Sequence, residues 1–215
     1  MGTVKDSEKT RAKLIEAAGQ LFAERGYDGA KVRDIVQRAD VHLSALNYHF
    51  GSKAALYREV VREACRSDSI PVEARNRLLE VKPRSALLEL LTAAMDAGTV
   101  TPGSEWKTAV LTWELWKPSQ LFDEIVRDYL KPDADIIARL IADATGSKPE
   151  EEAVQLAVIT LFGALDALRY YGKALDVIAP QLAASLQSPR EIAARLADAV
   201  LAAARTPVEG EEGAR

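Results

Sequence analysis

The fifteen residues from Ala39 to Lys53 constrain the fold of this chain most, because they combine a tight turn, a short helix and the start of another helix. Upstream of them, apolar residues recur at the spacing that places side chains on one helical face: Val32, Ile35, Val36 and Ala39. A turn at Asp40 and Val41 then redirects the chain. The pattern predicts two short helices joined by a tight turn.

The second short helix is predicted from about Leu43 to Phe50, with Leu46 and Phe50 facing inward because they lie four residues apart. The other side chains of this stretch lie on its outer surface or its ends: His42, Ser44, Ala45, Asn47, Tyr48 and His49. Small residues and hydrogen-bonding tips suit a helix that lies against base edges and phosphates. Ser52 is predicted to cap a helix that begins near Lys53. Periodicity alone fits an ordinary helical hairpin equally well.

A dense set of family-like positions covers the stretch from Thr10 to about Val61: Ala17-Ala18, Leu21-Phe22, Gly26-Tyr27, Val32 to Ala39, Val41, Asn47 to Lys53, and Ala55-Leu56. At these positions the sequence resembles the N-terminal domain of TetR-family transcriptional repressors. The resemblance implies a helix-turn-helix supported by the first helix, with the second motif helix in the major groove of DNA. It also implies a fourth helix that links this head to a ligand-sensing body.

Specific DNA contacts follow from the resemblance. It implies base contacts by Arg33 and by four residues at the start of the recognition helix, namely His42, Leu43, Ser44 and Ala45. It implies phosphate contacts by Asn47, Tyr48, His49 and Lys53. Two positions depart from the family pattern, since Asp40 replaces the usual glycine of the turn and His42 replaces the usual serine-like cap. Aspartate tolerates the left-handed conformation better than most residues, so we expect the turn to be kept at a small cost.

Length and composition favour an all-α chain with one sizeable core and a small head. The chain has 215 residues with 48% hydrophobic content and lacks strand-like alternation. We expect a helix-turn-helix DNA-binding domain over residues 8–52, a helical effector-binding and dimerisation domain over 53–205, and a flexible tail over 206–215. Residues 1–60 hold ten Lys/Arg against eight Asp/Glu, whereas the rest holds eighteen against twenty-four. This modest positive balance predicts that two heads share one operator.

Other classes of protein are disfavoured by residue usage. The two histidines, His42 and His49, fall in the head, and no metal-binding spacing, P-loop or dinucleotide glycine pattern occurs. We therefore expect no enzyme activity, no catalytic residue, no metal and no cofactor. The single cysteine, Cys65, suits a packing role in a reducing cytosol, with a redox sensor as the alternative. Without a signal sequence or a long apolar span, we expect a cytoplasmic protein with no membrane partner.

The helix predicted over Pro149–Gly172 is apolar on more than one side, so it should pack on its own body and on a partner. With the last helix, Pro189–Arg205, it is expected to form a homodimer interface that includes Leu161, Ala164, Leu168, Ile192, Leu196 and Val200. A two-fold dimer predicts a near-palindromic operator, with recognition helices spaced by multiples of about 34 Å. The alternative is a central core helix of a monomer.

Helices are also expected over 53–67, 73–79, 83–97 and 104–116, and over 119–144 with a bend at Pro132, which lacks a backbone donor. One face of the helix over 104–116 carries four residues that are candidates for the wall of an effector pocket: Trp106, Val110, Trp113 and Trp116. Plain core packing is the alternative. Arg169 is expected either to hold an anionic group of an effector or to pair with an acid such as Asp166 or Glu114.

The body carries a narrower resemblance, over the run from Trp113 to Val126, the Leu130-Lys131-Pro132 step and the stretch from Leu165 to Tyr171. Across roughly residues 85–180 it resembles the C-terminal domain of CecR-like TetR regulators. This resemblance implies a helical effector-binding body and leaves the effector, the operator sequence and the sign of regulation open. A regulator whose body responds to a protein partner instead of a small molecule is the alternative function.

Overall fold

The structure, a computed structural model, describes residues 4–97, 105–170, 172–185 and 188–205. Every regular element in these ranges is helical, which confirms the predicted all-α fold. The elements are α1 (Val4–Gly29), α2 (Val32–Arg38), α3 (Leu43–Phe50), α4 (Lys53–Asp68), α5 (Val72–Leu79), α6 (Pro83–Ala97), α7 (Glu105–Trp116), α8 (Phe122–Ile125), a π-helical turn (Val126–Leu130), α9 (Lys131–Thr145), α10 (Glu152–Tyr170), α11 (Gly172–Ile178), α12 (Pro180–Ser185) and α13 (Pro189–Ala203). The tail predicted over 206–215 lies outside the described residues.

The described residues fall into two compact units, each made of two separate stretches of chain. The first unit takes in Met1–Ser69 and Val100–Leu130, and the second takes in Ile70–Thr99 and Lys131–Arg215. The first therefore contains α7 and α8 in addition to the four N-terminal helices. The domain boundaries drawn from the sequence at residues 52 and 205 remain predictions.

Most of the predicted helices are present, and their ends differ from the predicted ones by a few residues. The expected bend near Pro132 takes the form of the π-helical turn, after which α9 begins one residue before Pro132. A proline fits the first turn of a helix because the backbone donors there have no partner within the helix. Two short helices, α11 and α12, were not predicted.

The second unit has one apolar core, which is formed mainly by α6, α9, α10 and α13. Four of its side chains are almost fully buried: Leu87, Leu91, Leu140 and Ile141. Asp133, in the first turn of α9, ties α5 to this unit. Its carboxylate accepts hydrogen bonds from the Arg75 guanidinium at 2.7 Å and from the backbone N–H of Ile70. Both charged side chains are mostly buried, so this ion pair is screened less than a surface pair.

In the first unit, α1 packs directly against α7 at Gly19. A Cβ atom at position 19 would lie less than 3 Å from three atoms of the Trp106 ring. That ring is 4% exposed, and its indole N–H donates to the Glu16 carboxylate at 3.0 Å. Glycine is therefore required here by the close approach of an aromatic ring, although the backbone is helical.

We expect Gly19→Ala to destabilise the protein by about 1–3 kcal/mol, because the added methyl group overpacks a rigid aromatic contact. Urea denaturation followed by circular dichroism measures the free energy of unfolding. In a Trp106→Leu background the same substitution should cost much less, since the smaller side chain leaves room. An equal cost in both backgrounds would show that the contact with Trp106 is not the cause.

Candidate nucleic-acid interface

The turn between α2 and α3 is closed by a pair of backbone hydrogen bonds. The N–H of Asp40 donates to the carbonyl of Gln37 at 3.2 Å, and the N–H of Val41 donates to that of Val36 at 3.0 Å. Asp40 has a φ of +53°, the left-handed conformation expected from the sequence. This is the Schellman arrangement that commonly ends a helix, formed here without glycine.

Helix α3 exposes one face and buries the other. Leu46 is 1% exposed and Phe50 packs partly into the core of the unit, as predicted. His42, Leu43, Ser44, Asn47 and Tyr48 are exposed, while Ala45 and His49 are partly exposed. Leu43 and Tyr48 have 51% and 81% of their surfaces accessible, so this face presents two large side chains to solvent.

The corner between α3 and α4 is fixed by two residues. Gly51 adopts a φ of +72°, a conformation that favours glycine, and its N–H donates to the carbonyl of Asn47 at 3.0 Å. The Ser52 hydroxyl accepts from the N–H of Ala55 at 3.1 Å, which confirms the predicted N-cap of α4. Lys53 is thereby placed at the first position of α4, where unpaired backbone N–H groups also favour anions.

Lys53 rests on an aromatic cluster. Its Nζ lies 4.4 Å from the centroid of the Tyr27 ring, and the Tyr27 and Phe22 rings both lie against Tyr57 with centroids 4.8 Å away. Burial lowers the pKa of the Lys53 ammonium, and the nearby Asp28 carboxylate opposes that shift. A cation held over a ring face has fewer accessible rotamers than a free lysine, so its position is partly set before any partner binds.

Charged residues on α1 and α2 fall into paired and unpaired sets. Arg38 donates to both oxygens of Glu24, at 2.7 and 3.1 Å, and Arg25 donates to Asp34 at 2.8 Å. These pairs hold α2 against α1. Arg33 is exposed, and within the described part of the chain it has no ion-pair partner. Its guanidinium is therefore available to a ligand.

A buried carboxylate joins α4 to α7, and sequence reasoning did not identify this role. Glu114 is 2% exposed and accepts hydrogen bonds from the Tyr57 hydroxyl, from the Ser119 hydroxyl at 3.0 Å and from the Ser119 N–H at 3.2 Å. Burial and the bond to Glu114 raise the pKa of the Tyr57 phenol. The signal in the sequence is a glutamate inside the apolar run of α7, a residue that the sequence suggests as a partner for Arg169.

The residues proposed for an effector pocket differ in burial and in the unit to which they belong. Trp106 and Val110 are buried in the core of the first unit, Trp113 is 42% exposed with its indole N–H donating to the Ala23 carbonyl, and Trp116 is 86% exposed. The contacts of Trp106 are those of a core residue. Arg169 belongs to the second unit, and its side chain lies outside the described residues. The pocket assignment remains a prediction.

The residues proposed for a dimer interface also differ in how exposed they are. Leu161, Ile192 and Val200 are buried within the protomer, whereas Ala164, Leu168 and Leu196 are partly exposed. The outward face of α10 instead carries Leu156 and Ile159, which are 58% and 65% exposed, and Gly163. A Cβ atom at Gly163 would meet nothing within 4 Å. Helical periodicity had shown that α10 is apolar on two sides without showing which side faces its own core.

Among the described residues, no group of three or more His, Cys, Asp or Glu side chains is arranged to hold a metal ion. None of the helices described is long and apolar enough to cross a membrane.

Two family profiles match the chain. The profile described as "Bacterial regulatory proteins, tetR family" matches residues 14–60. The profile described as "HTH-type transcriptional dual regulator CecR, C-terminal domain" matches residues 83–205, which is more than half of the chain. These ranges confirm both resemblances drawn from the residues themselves.

Individual proteins give the same result over parts of the chain. The "Probable HTH-type transcriptional regulator YttP" of Bacillus subtilis is 28% identical over 142 residues, covering 66% of this chain and 67% of YttP. The "Biofilm operon icaADBC HTH-type negative transcriptional regulator IcaR" of Staphylococcus aureus is 40% identical over 50 residues, covering 23% of this chain and 27% of IcaR. A solved TetR-like transcriptional regulator from Rhodococcus sp. RHA1 matches the fold with a TM-score of 0.66 at 20% identity, covering 90% of this chain and 96% of that one.

Proposed function

The chain belongs to the TetR family of bacterial transcriptional regulators, and we propose that it is a repressor that binds a near-palindromic operator as a homodimer and releases it when a small molecule binds the body. The observation that carries the DNA-binding part is the solvent-facing side of α3 followed by the capped start of α4 at Lys53. Repression is proposed by analogy with IcaR, whose name describes a negative regulator.

The outward side of α3 supports reading of the major groove. The residues at its start, from His42 to Ala45, are short or medium in size, so the helix can approach base edges closely. Tyr48 and Lys53 lie further along and carry a hydroxyl and an ammonium, groups that suit phosphates. Arg33, without an ion-pair partner among the described residues, is proposed to contact a base.

The outward face of α10 supports a homodimer. Leu156, Ile159 and Gly163 lie on one side of this helix, and the small Gly163 permits the close approach of a second backbone. Two large apolar side chains more than half exposed on one helical face are typical of a surface that is covered in the assembled protein. We propose this face, in place of the buried Leu161, as the centre of the interface.

We propose that effector binding acts through the separation of the two heads. A ligand that favours a different separation of the two heads would shift the population toward a state that does not fit the operator. A body that responds to a protein partner is the second candidate, supported by the exposed Trp116. We place either form of regulator in the cytoplasm.

Selection of bound fragments from randomised duplex DNA, at a stated salt concentration, tests the proposed function. We expect a palindromic consensus with two half-sites, because two recognition helices related by a two-fold axis read the same sequence in opposite directions. Recovery of no consensus would contradict sequence-specific operator binding. The selected DNA then serves as the probe in a screen for small molecules that reduce binding.

Substitutions at contacts of different kinds should have different effects on that DNA. We expect Lys53→Gln to weaken binding to all sequences and to reduce the slope of log K against log salt by about 0.9 per protomer, because one phosphate contact is lost. Arg33→Ala should instead change the preferred base at one position of each half-site. Fluorescence anisotropy over a salt series, with the consensus and single-base variants, separates the two. Uniform losses for both variants would contradict the assigned roles.

Ile159→Glu should convert the dimer into a monomer, because it places an unpaired carboxylate in a buried interface while leaving the protomer core untouched. Leu79→Glu is the matched control, since Leu79 is 50% exposed on α5 in the same unit. Sedimentation velocity measures the mass, and circular dichroism checks that both variants remain folded. A dimer that persists in Ile159→Glu would exclude this face of α10 from the interface.

A further inference from the structure

Lys117 lies on an exposed corner of the first unit, directly after α7. Its backbone N–H donates to the carbonyl of Trp113 at 2.8 Å and closes the last turn of that helix. The side chain of Lys117 is 77% exposed, and the preceding Trp116 is 86% exposed. Neither residue belongs to the helix-turn-helix, although both belong to the same compact unit.

The Lys117 side chain contacts Asp28, near the end of α1. Its Nζ lies 3.5 Å from an oxygen of Asp28. Asp28 directly follows Tyr27, whose ring centroid lies 4.4 Å from the Nζ of Lys53, and the Asp28 carboxylate acts electrostatically on Lys53. The Asp28 carboxylate therefore attracts two ammonium groups that come from distant parts of the sequence.

The segment that carries Lys117 is held in place on both sides. Before it, the indole N–H of Trp113 donates to the carbonyl of Ala23 at 3.1 Å. After it, both the N–H and the hydroxyl of Ser119 donate to the buried carboxylate of Glu114. Because Glu114 also accepts a hydrogen bond from Tyr57 of α4, the backbone around Lys117 is held by both α1 and α4.

We propose that Lys117 is a further DNA-binding residue, which contacts a backbone phosphate next to the one bound by Lys53; this rests on the proposed operator binding by the head. The ion pair with Asp28 does not oppose the proposal, since Asp28 is 83% exposed and exposed pairs contribute little stability. A phosphate offers a stronger partner, and the exposed Lys117 ammonium has room to turn from Asp28 to a phosphate. Asp28 then limits affinity by repelling the same phosphate.

The first test compares Lys117→Gln with wild-type protein on the selected operator over a salt series. We expect weaker binding to every sequence and a slope of log K against log salt that falls by about 0.9 per protomer. The control is Lys131→Gln, which removes an exposed lysine paired with Asp135 at 2.8 Å in the second unit. Equal slopes for wild type and Lys117→Gln would show that the lysine forms only a surface ion pair.

The second test uses Asp28. We expect Asp28→Asn to strengthen binding, because it removes a negative charge beside two phosphate contacts. The gain should be smaller in a Lys117→Gln background if part of it acts through Lys117. A gain of equal size in both backgrounds would contradict the proposal and assign the whole effect to Lys53.

Proximity to DNA can be measured directly with Lys117→Cys carrying an iron–EDTA group that cleaves nearby DNA. Labelling is selective because Cys65 is 2% exposed and burial raises the pKa of its thiol to about 12. We expect cleavage at the edge of each half-site, and cleavage no stronger than that of free iron–EDTA would overturn the proposal. If the wild-type protein selects no DNA sequence, both the proposed function and the role of Lys117 are wrong. If Lys53→Gln lowers the slope of log K against log salt and Lys117→Gln does not, only the role of Lys117 is wrong.

Discussion

Glu114 is the one charged side chain buried among the described residues, and the geometry of the first unit depends on how its carboxylate is satisfied. An unpaired carboxylate in this position would cost several kcal/mol, so Tyr57 and Ser119 must both be in place. Tyr57 in turn packs against Phe22 and Tyr27, and the Tyr27 ring supports Lys53. One continuous set of contacts thus runs from the end of α7 to the first residue of α4.

Features decided by neighbouring residues were predictable from the sequence. The left-handed Asp40, the Ser52 cap and the inward direction of Leu46 each depend on a few adjacent positions, and all three are present. Local chemistry determines them because turn conformations and caps involve only residues within about five positions of each other. The outward set of side chains on α3 follows from the same periodicity.

Features decided by distant residues were not predictable. Periodicity identified the aromatic face of α7 but not that Trp106 packs against Gly19, which lies 87 positions earlier in the sequence. It likewise identified α10 as apolar on two sides, yet Leu161 faces the protomer core and Ile159 faces solvent. The partner of a helical face depends on the tertiary arrangement of the whole unit, which a single sequence encodes only indirectly.

The interleaved course of the chain bears on how such a protein can evolve. Met1–Ser69 and Val100–Leu130 form one unit. Trp106 and Glu114, which contact Gly19 and Tyr57, are therefore encoded in a different part of the gene from the N-terminal helices. Recombination that exchanged only the N-terminal helices would pair a new α1 and α4 with the old α7. We therefore expect DNA specificity to change more readily by point substitutions on α2 and α3, which leave the Trp106 and Glu114 contacts intact.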